Sequence, residues 1–296
     1  MKIGMIGKGA WGLAIGDVLK RNGHEVLFVG REEKVFSKNF HPDYLFLALP
    51  CQVARARLIE LQVPSVPIVS LTKGIEIGTG LRVTEMLDAI LPNTPHATLS
   101  GPSFAKEVQE LKPTAVVAAS ADATLAREVQ SLLHQKLFRV YRSTDLVGVE
   151  LGGALKNIYA IAGGICHGLH MGNNGMAGLL TRCLAEIIRI GVMMGARKET
   201  LFGLSGMGDL VLTSYSGLSR NHQIGEALAQ GMNTDQAIAH VKGIAEGIPT
   251  TRALKAIVQE RKIKAPVLIE VYNVLYENKS PREAFNDLML REAEEE

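Results

Sequence analysis

The stretch from Lys2 to Arg31 narrows the fold of this chain more than any other. Lys2–Ile6 alternates Ile3 and Met5 and reads as a β-strand. Gly7-Lys8-Gly9-Ala10-Trp11-Gly12 follows at once, then a helical pattern through Ile15, Val18 and Leu19 that stops at Asn22-Gly23, then a second strand at Glu25–Val29. This is a strand–turn–helix–strand unit with GxGxxG at its first turn. In such a unit Gly7 makes the tight turn, Gly9 lets backbone approach a pyrophosphate, and Gly12 lets helix and strand pack closely. Unpaired N–H groups and partial positive charge at the helix start suit the phosphates. The spacing therefore predicts dinucleotide binding.

The second strand ends Val29-Gly30-Arg31, where a site that prefers NAD usually offers an acid to the ribose 2′-hydroxyl. The Arg31 guanidinium suits a 2′-phosphate, which leans toward NADPH. Glu32 could still reach the ribose, so NADH stays open.

Beyond this unit, strands are expected at Tyr44–Leu49, Ile68–Leu71, His96–Leu99, Thr114–Ala119 and Leu137–Tyr141, with helices at Gln52–Leu61, Arg82–Ile90 and Leu125–Leu133. Only Glu32–Asp43 separates the second and third strands, room for one short helix near Glu33–Lys38. Thr72-Lys73-Gly74 falls at the carboxyl end of the fourth strand, where open α/β sheets bind ligands. Pro102, in Ser100–Glu107, suits a first helical position. The alternation predicts a doubly wound, mostly parallel Rossmann-type sheet over residues 1–143.

After Tyr141 the β-branched runs stop, and residues 144–296 read as an all-α domain. Asp145–Gly164 is a helix rich in Gly and Ala, a sign of tight packing against other helices or a ligand, with Lys156-Asn157 at its middle. A glycine-rich connection, Cys166–Gly175, leads to a helix over Gly178–Met194; a second glycine-rich break, Leu204–Asp209, leads into Leu210–Thr213. Helices at Gln223–Ala229, Thr234–Val241, Thr250–Gln259, Val267–Tyr276 and Pro281–Leu290 complete it, and Glu294–Glu296 reads as a frayed acidic end.

Composition excludes several classes. A net charge of +2 gives no reason to expect nucleic acid or an anionic membrane as partner, and a single Trp argues against base-stacking platforms. Cys51, Cys166 and Cys183 lack CxxC spacing and suggest reduced thiols in a cytoplasmic protein. The opening residues lack the basic, then apolar, then small-residue pattern of a signal peptide, and the apolar Gly178–Gly195 stretch carries Arg182, Glu186 and Arg189 on one helix face, so neither a signal peptide nor a membrane span is expected.

A nicotinamide delivers hydride, and the protein must supply a proton to the resulting oxygen. Lys156, in an apolar helix, is the candidate: desolvation and a second cation, Lys73, would lower its pKa toward the working range. A lysine snorkelling to solvent is the alternative. Asp209 could cap the next helix or orient the lysine. Ser219-Arg220-Asn221 at a helix start could cradle a phosphate or simply be surface. His167 and His170 beside Cys166 lack a third ligand, so no metal is assigned. No GxSxG elbow supports a hydrolase.

Gly7–Gly12, Thr72-Lys73-Gly74, Gly101–Glu107, Leu151–Asn157, Gly206–Thr213, Ser219-Arg220-Asn221 and Glu246-Gly247, in this order and spacing across nearly the whole chain, resemble the bacterial-type soluble NAD(P)-dependent sn-glycerol-3-phosphate dehydrogenases. The resemblance implies a helical half like that of 6-phosphogluconate dehydrogenase. It implies reversible reduction of dihydroxyacetone phosphate to sn-glycerol 3-phosphate with NADPH or NADH, feeding phospholipid synthesis in the cytoplasm. Lys156 would exchange the proton, and Lys73 would contact cofactor and substrate. Gly101, Ser103, Asn157, Asp209, Ser219, Arg220 and Asn221 would line the substrate site. Ala10, Trp11, Arg31, Ala105, Arg220, Ile244 and Glu246 would lie along the cofactor. Two departures stand out. The excursion after Arg31 is shorter than in relatives, which bears on the adenine side. Ala10-Trp11 replaces a hydroxyl residue and another aromatic, which removes one hydroxyl near the phosphates. A related β-hydroxyacid dehydrogenase and a non-catalytic NAD(P)-sensing protein are the alternative readings. The apolar helical half is compatible with a homodimer.

Overall fold

The computed structural model describes residues 1–33 and 39–292. The short helix expected near Glu33–Lys38 and the acidic Glu294–Glu296 end lie outside the described residues, except for Glu33 itself.

The chain begins β1 (Lys2–Ile6), α1 (Ala10–Arg21), β2 (Glu25–Val29), β3 (Tyr44–Leu47), α2 (Cys51–Leu61), β4 (Ile68–Ser70) and α3 (Val83–Ile90). It continues with β5 (His96–Ser100), α4 (Ala105–Gln109), β6 (Thr114–Ala119), α5 (Ala123–Leu133) and β7 (Phe138–Ser143). These strands form a seven-stranded sheet in the order β2-β1-β3-β4-β5-β6-β7, parallel except where β5 meets β6. The pleat sends Ile3, Met5, Phe46 and Val69 into one core with residues of α1, α4 and α5. It sends Ile6, Leu45, Leu47 and Ile68 into the other, with α2 and α3. The chain leaves β1 for β2 on one side and returns to β3 on the other. The crevice at the carboxyl ends of β1 and β3 is therefore a topological switch point, the place such sheets use for ligands.

The remainder is helical: α6 (Leu146–Gly168), α7 (Gly172–Met193), α8 (Lys198–Leu201), a π-helical turn (Leu204–Gly208), α9 (Asp209–Tyr215), α10 (Arg220–Ala229), α11 (Thr234–His240), α12 (Gly247–Glu260), α13 (Pro266–Tyr276) and α14 (Pro281–Met289). Helix α6 is the hub, buried almost throughout. Its glycines serve packing between helices: a Cβ on Gly164 would stand 2.0 Å from the His222 carbonyl oxygen of α10, and one on Gly152 2.7 Å from that of Ser205. Glu150 of α6 accepts from the Thr84 N–H at 2.9 Å and pairs with Arg82, so α6 is pinned to the first turn of α3 beside the sheet. That contact sets where Lys156, farther along α6, comes to lie. On α7, Glu186 caps α13 by accepting from the N–H groups of Val267 (2.7 Å) and Leu268 (3.1 Å). No helix among the described residues is long and apolar enough to cross a membrane.

Several boundaries differ from the sequence reading, among them the start of α10 at Arg220 rather than Gln223 and the π-helical turn in place of the Leu204–Asp209 break. Helix α4 starts at Ala105, leaving Pro102 in the preceding loop rather than at the first helical position. The Cys166–Gly175 connection shrinks to Leu169-His170-Met171, because Gly168 stays helical. A Cβ there would stand 2.6 Å from Ala229 Cβ, so Gly168 is a packing residue; His170 takes the left-handed turn, with φ of 57°. Helix α12 starts at Gly247, which places Pro249 in its first turn, where a missing N–H costs no helical bond.

Candidate active site

The site grows from the loop after β1. Gly7 has φ of 115°, and a Cβ would fall 2.3 Å from the Ala48 carbonyl oxygen, so the turn tolerates no side chain. A Cβ on Gly12 would stand 2.4 Å from Gly7 O, whereas one on Gly9 would meet nothing within 4 Å. The open approach at Gly9, followed by the first turn of α1 with no side-chain cap, is a cradle that fits a pyrophosphate. Trp11 and Ala105 both pack on the α1 face of the sheet core; the Trp11 indole Nε1 is buried without a partner.

At the end of β2, Arg31 is exposed. Its neighbour Glu33 folds back: its Oε2 accepts from Gly30 N at 2.7 Å, and its Oε1 from the Lys8 ammonium. Arg57 of α2 donates to Gly30 O at 2.7 Å, to Glu33 O and to Glu60 Oε2 at 2.6 Å. Sequence reasoning missed Glu33 and Arg57. No local pattern marks Arg57, which reaches the loop only through the fold.

The chemistry-bearing groups meet where α6, α9 and the loop after β4 converge. Lys156 Nζ donates to Asp209 Oδ1 at 2.9 Å, and Lys73 Nζ donates to Oδ2 of the same carboxylate. Lys156 and Asp209 are 6% and 1% exposed, so the amine does not snorkel to solvent. Nor does the Asp209 carboxylate cap α9; it bridges the two lysines. Burial lowers the Lys156 pKa to about 8, with Lys73 and Arg220 pushing the same way and Asp209 opposing them. Lys73 also lies 3.4 Å from the Gly101 carbonyl oxygen, which accepts from Ser103 Oγ at 3.0 Å. Gly101 has φ of 140°.

On the other wall, Ser219 caps α10 by accepting from His222 N at 3.3 Å. Asn221 donates to Asn157 Oδ1 at 2.9 Å and accepts from Gly247 N at 2.9 Å, so α6, α10 and α12 are tied together one residue from Lys156. Arg220 lies along Gly243 and acts electrostatically on both Lys156 and Glu246. Ile244 is exposed beside them. Glu246 reaches across to the sheet half: its Oε1 accepts from Cys51 N, in the first turn of α2, at 3.1 Å. Its Oε2 is buried without a partner, and burial pushes its pKa up to about 7. The arrangement offers a proton-exchanging amine, a second ammonium at the same carboxylate, and a guanidinium at a helix start that suits a phosphate.

The chain matches the family model described as the N-terminal part of NAD-dependent glycerol-3-phosphate dehydrogenase over residues 2–41 and 39–126, and the C-terminal model over residues 145–286. The two N-terminal pieces meet in the shortened segment after β2. The chain is 41% identical to a glycerol-3-phosphate dehydrogenase [NAD(P)+] of Oleidesulfovibrio alaskensis, with 100% of each chain covered. It is 40% identical to that of Geobacter sulfurreducens, covering 100% of this chain and 98% of the relative. A crystal structure of glycerol-3-phosphate dehydrogenase from Coxiella burnetii superposes with a TM-score of 0.90 at 34% identity, over 98% of this chain and 99% of the other.

Proposed function

The chain belongs to the NAD-dependent glycerol-3-phosphate dehydrogenase family, and from that premise we propose how its residues divide the work of reducing dihydroxyacetone phosphate to sn-glycerol 3-phosphate. The reaction uses NADH or NADPH and is reversible. A bound dinucleotide, held by the first-turn loop, would supply the hydride that the substrate carbonyl carbon receives. The Lys156 ammonium gives its proton to the carbonyl oxygen as the alkoxide forms, and in the reverse direction the neutral amine takes it back. Lys73 polarises the same oxygen, and Asp209 holds both amines in register. Arg220, with Ser219 and Asn221 at the start of α10, receives the phosphate. Gly101, Ser103 and Asn157 complete the substrate pocket.

On the cofactor side, Gly7, Gly9, Ala10, Trp11 and Gly12 seat the pyrophosphate, and Arg31 faces the adenosine ribose. Ala105, Arg220, Ile244 and Glu246 lie along the rest, with Lys73 reaching both ligands. We assign residues 1–143 to dinucleotide binding and residues 144–296 to substrate binding. We place the protein in the cytoplasm, supplying phospholipid synthesis, with two copies pairing through the helical half.

The observation that carries this division is the shared Asp209 carboxylate between Lys156 and Lys73. The test is NADH and NADPH oxidation with dihydroxyacetone phosphate, beside a panel of non-phosphorylated hydroxy acids run in the oxidative direction. Activity confined to the panel would transfer the chain to the β-hydroxyacid dehydrogenases. Equal rates with both cofactors would remove the selective role given to Arg31.

A further inference from the structure

Helix α10 carries a second group of donors, away from the lysines. His222 and Glu226 are four residues apart and so share one face of α10. Glycines at the crossing of α6 and α10 bring in a third: a Cβ on Gly225 would stand 2.1 Å from Ile161 O, and this close approach sets His167, near the end of α6, beside that face. His167 Nδ1 lies 2.6 Å from Glu226 Oε1, and His222 Nε2 lies 3.6 Å from the same oxygen. The ligand atoms of all three fall within 4.8 Å of one another. His170, near His167 in the sequence, is not one of the three; His222 and Glu226 come from a helix more than fifty residues on.

We propose that His167, His222 and Glu226 bind a zinc-class divalent ion, with water in the fourth position. Two imidazole nitrogens and one carboxylate oxygen form a set that suits zinc, while magnesium and calcium prefer all-oxygen shells. With bonds of about 2.0–2.1 Å, neighbouring ligands of a tetrahedral site stand about 3.3 Å apart. The edge from His222 to Glu226 is near that separation already. The edge from His167 to Glu226 must open by less than about 1 Å, and the His167 side chain, 65% exposed, is free to swing. The His222 side chain is 3% exposed, so its ring is held in place. The bound ion would staple α10 to α6. This inference rests on the geometry alone and does not depend on the proposed reaction.

The test is calorimetric titration of the metal-free full-length protein with zinc chloride, and separately with magnesium chloride, while following Tm. The native protein is expected to take up one saturable zinc with a rise in Tm, and to ignore magnesium. His167→Ala and Glu226→Gln should each weaken zinc binding by about tenfold or more and abolish the rise. The metal-free His167→Ala protein should keep native turnover, which confirms its fold. The proposal is overturned if the native protein binds no zinc, if magnesium binds as well as zinc, or if stoichiometric zinc binding survives both substitutions.

Discussion

Lys156 Nζ and Asp209 Oδ1 lie 2.9 Å apart, both buried, on helices that the chain separates by more than fifty residues. The pair decides the protonation behaviour of the site. Desolvation disfavours the charged amine, and the carboxylate offsets part of that cost. The result is an amine at about 8, within working reach in both directions.

The pH dependence follows from that value. Reduction needs the ammonium, so kcat/KM for dihydroxyacetone phosphate should be flat below about 8 and fall above it. Oxidation of sn-glycerol 3-phosphate needs the neutral amine, so its rate should climb through the same range. An unperturbed lysine would place both limbs near about 10.4. Lys156→Ala should lower kcat by about 10²–10⁴-fold in each direction and remove the limb. Initial rates across pH, measured in both directions, check this; a limb that persists in the variant would assign it to another group.

Asp209→Asn keeps the shape of the side chain and removes its charge. Lys156 and Lys73 would then face each other without a counterion, and the Lys156 pKa should fall below its native position, since Asp209 raises it. The falling limb of the reductive profile should therefore move to lower pH. Turnover should drop by about 10²-fold as the amines lose register. An unmoved limb would show that Asp209 does not hold the amine, whatever happens to the rate.

Much of this architecture could be read residue by residue, because it depends on local periodicity. The alternation at Ile3 and Met5 and the three glycines of the first turn are short-range signals, and β1 and the loop follow from them; the apolar flanks of Lys156 left burial and snorkelling both open, and only the packed chain decides between them. The role of Asp209 was ambiguous for a physical reason: capping and bridging ask for the same residue at the same place, and only the partner across the fold distinguishes them. Glu246 on Cys51 N and Arg57 on Gly30 O are contacts that only the packed chain creates. Gly168 misled because a packing glycine inside a helix and a loop glycine look alike until the opposing Ala229 is known.

Glu246 gives the fold a pH signature of its own. Its folded pKa of about 7 lies above the ordinary 4.5, so between these values the folded chain keeps a proton that the unfolded chain has released. Stability should therefore decline as pH rises from about 4.5 to about 7 and level off above. Glu186, also pushed up to about 7 by burial, adds a second contribution of the same sign. Glu246→Gln retains an acceptor for Cys51 N and removes one of the two. Urea unfolding at pH ~5 and pH ~8 should show the difference between them shrinking by at most about 3 kcal/mol. An unchanged difference would mean that Glu246 is ionised in the folded protein throughout.

Gly164 tests whether the seat of α10 governs the phosphate end of the site. In an open helix Gly→Ala stabilises by about 1 kcal/mol. Here the new Cβ would stand 2.0 Å from the His222 carbonyl oxygen, which is backbone and cannot rotate away, so α10 must move off α6. Such overpacking costs about 1–3 kcal/mol, and the net effect of Gly164→Ala should be a lower Tm. Ser219, Arg220 and Asn221 travel with α10, whereas Lys73 and the dinucleotide loop do not. The KM for dihydroxyacetone phosphate should therefore rise while the KM for the nicotinamide cofactor stays closer to native. A variant that lost stability with both KM values unchanged would show that α10 can shift without moving the groups assigned to the phosphate.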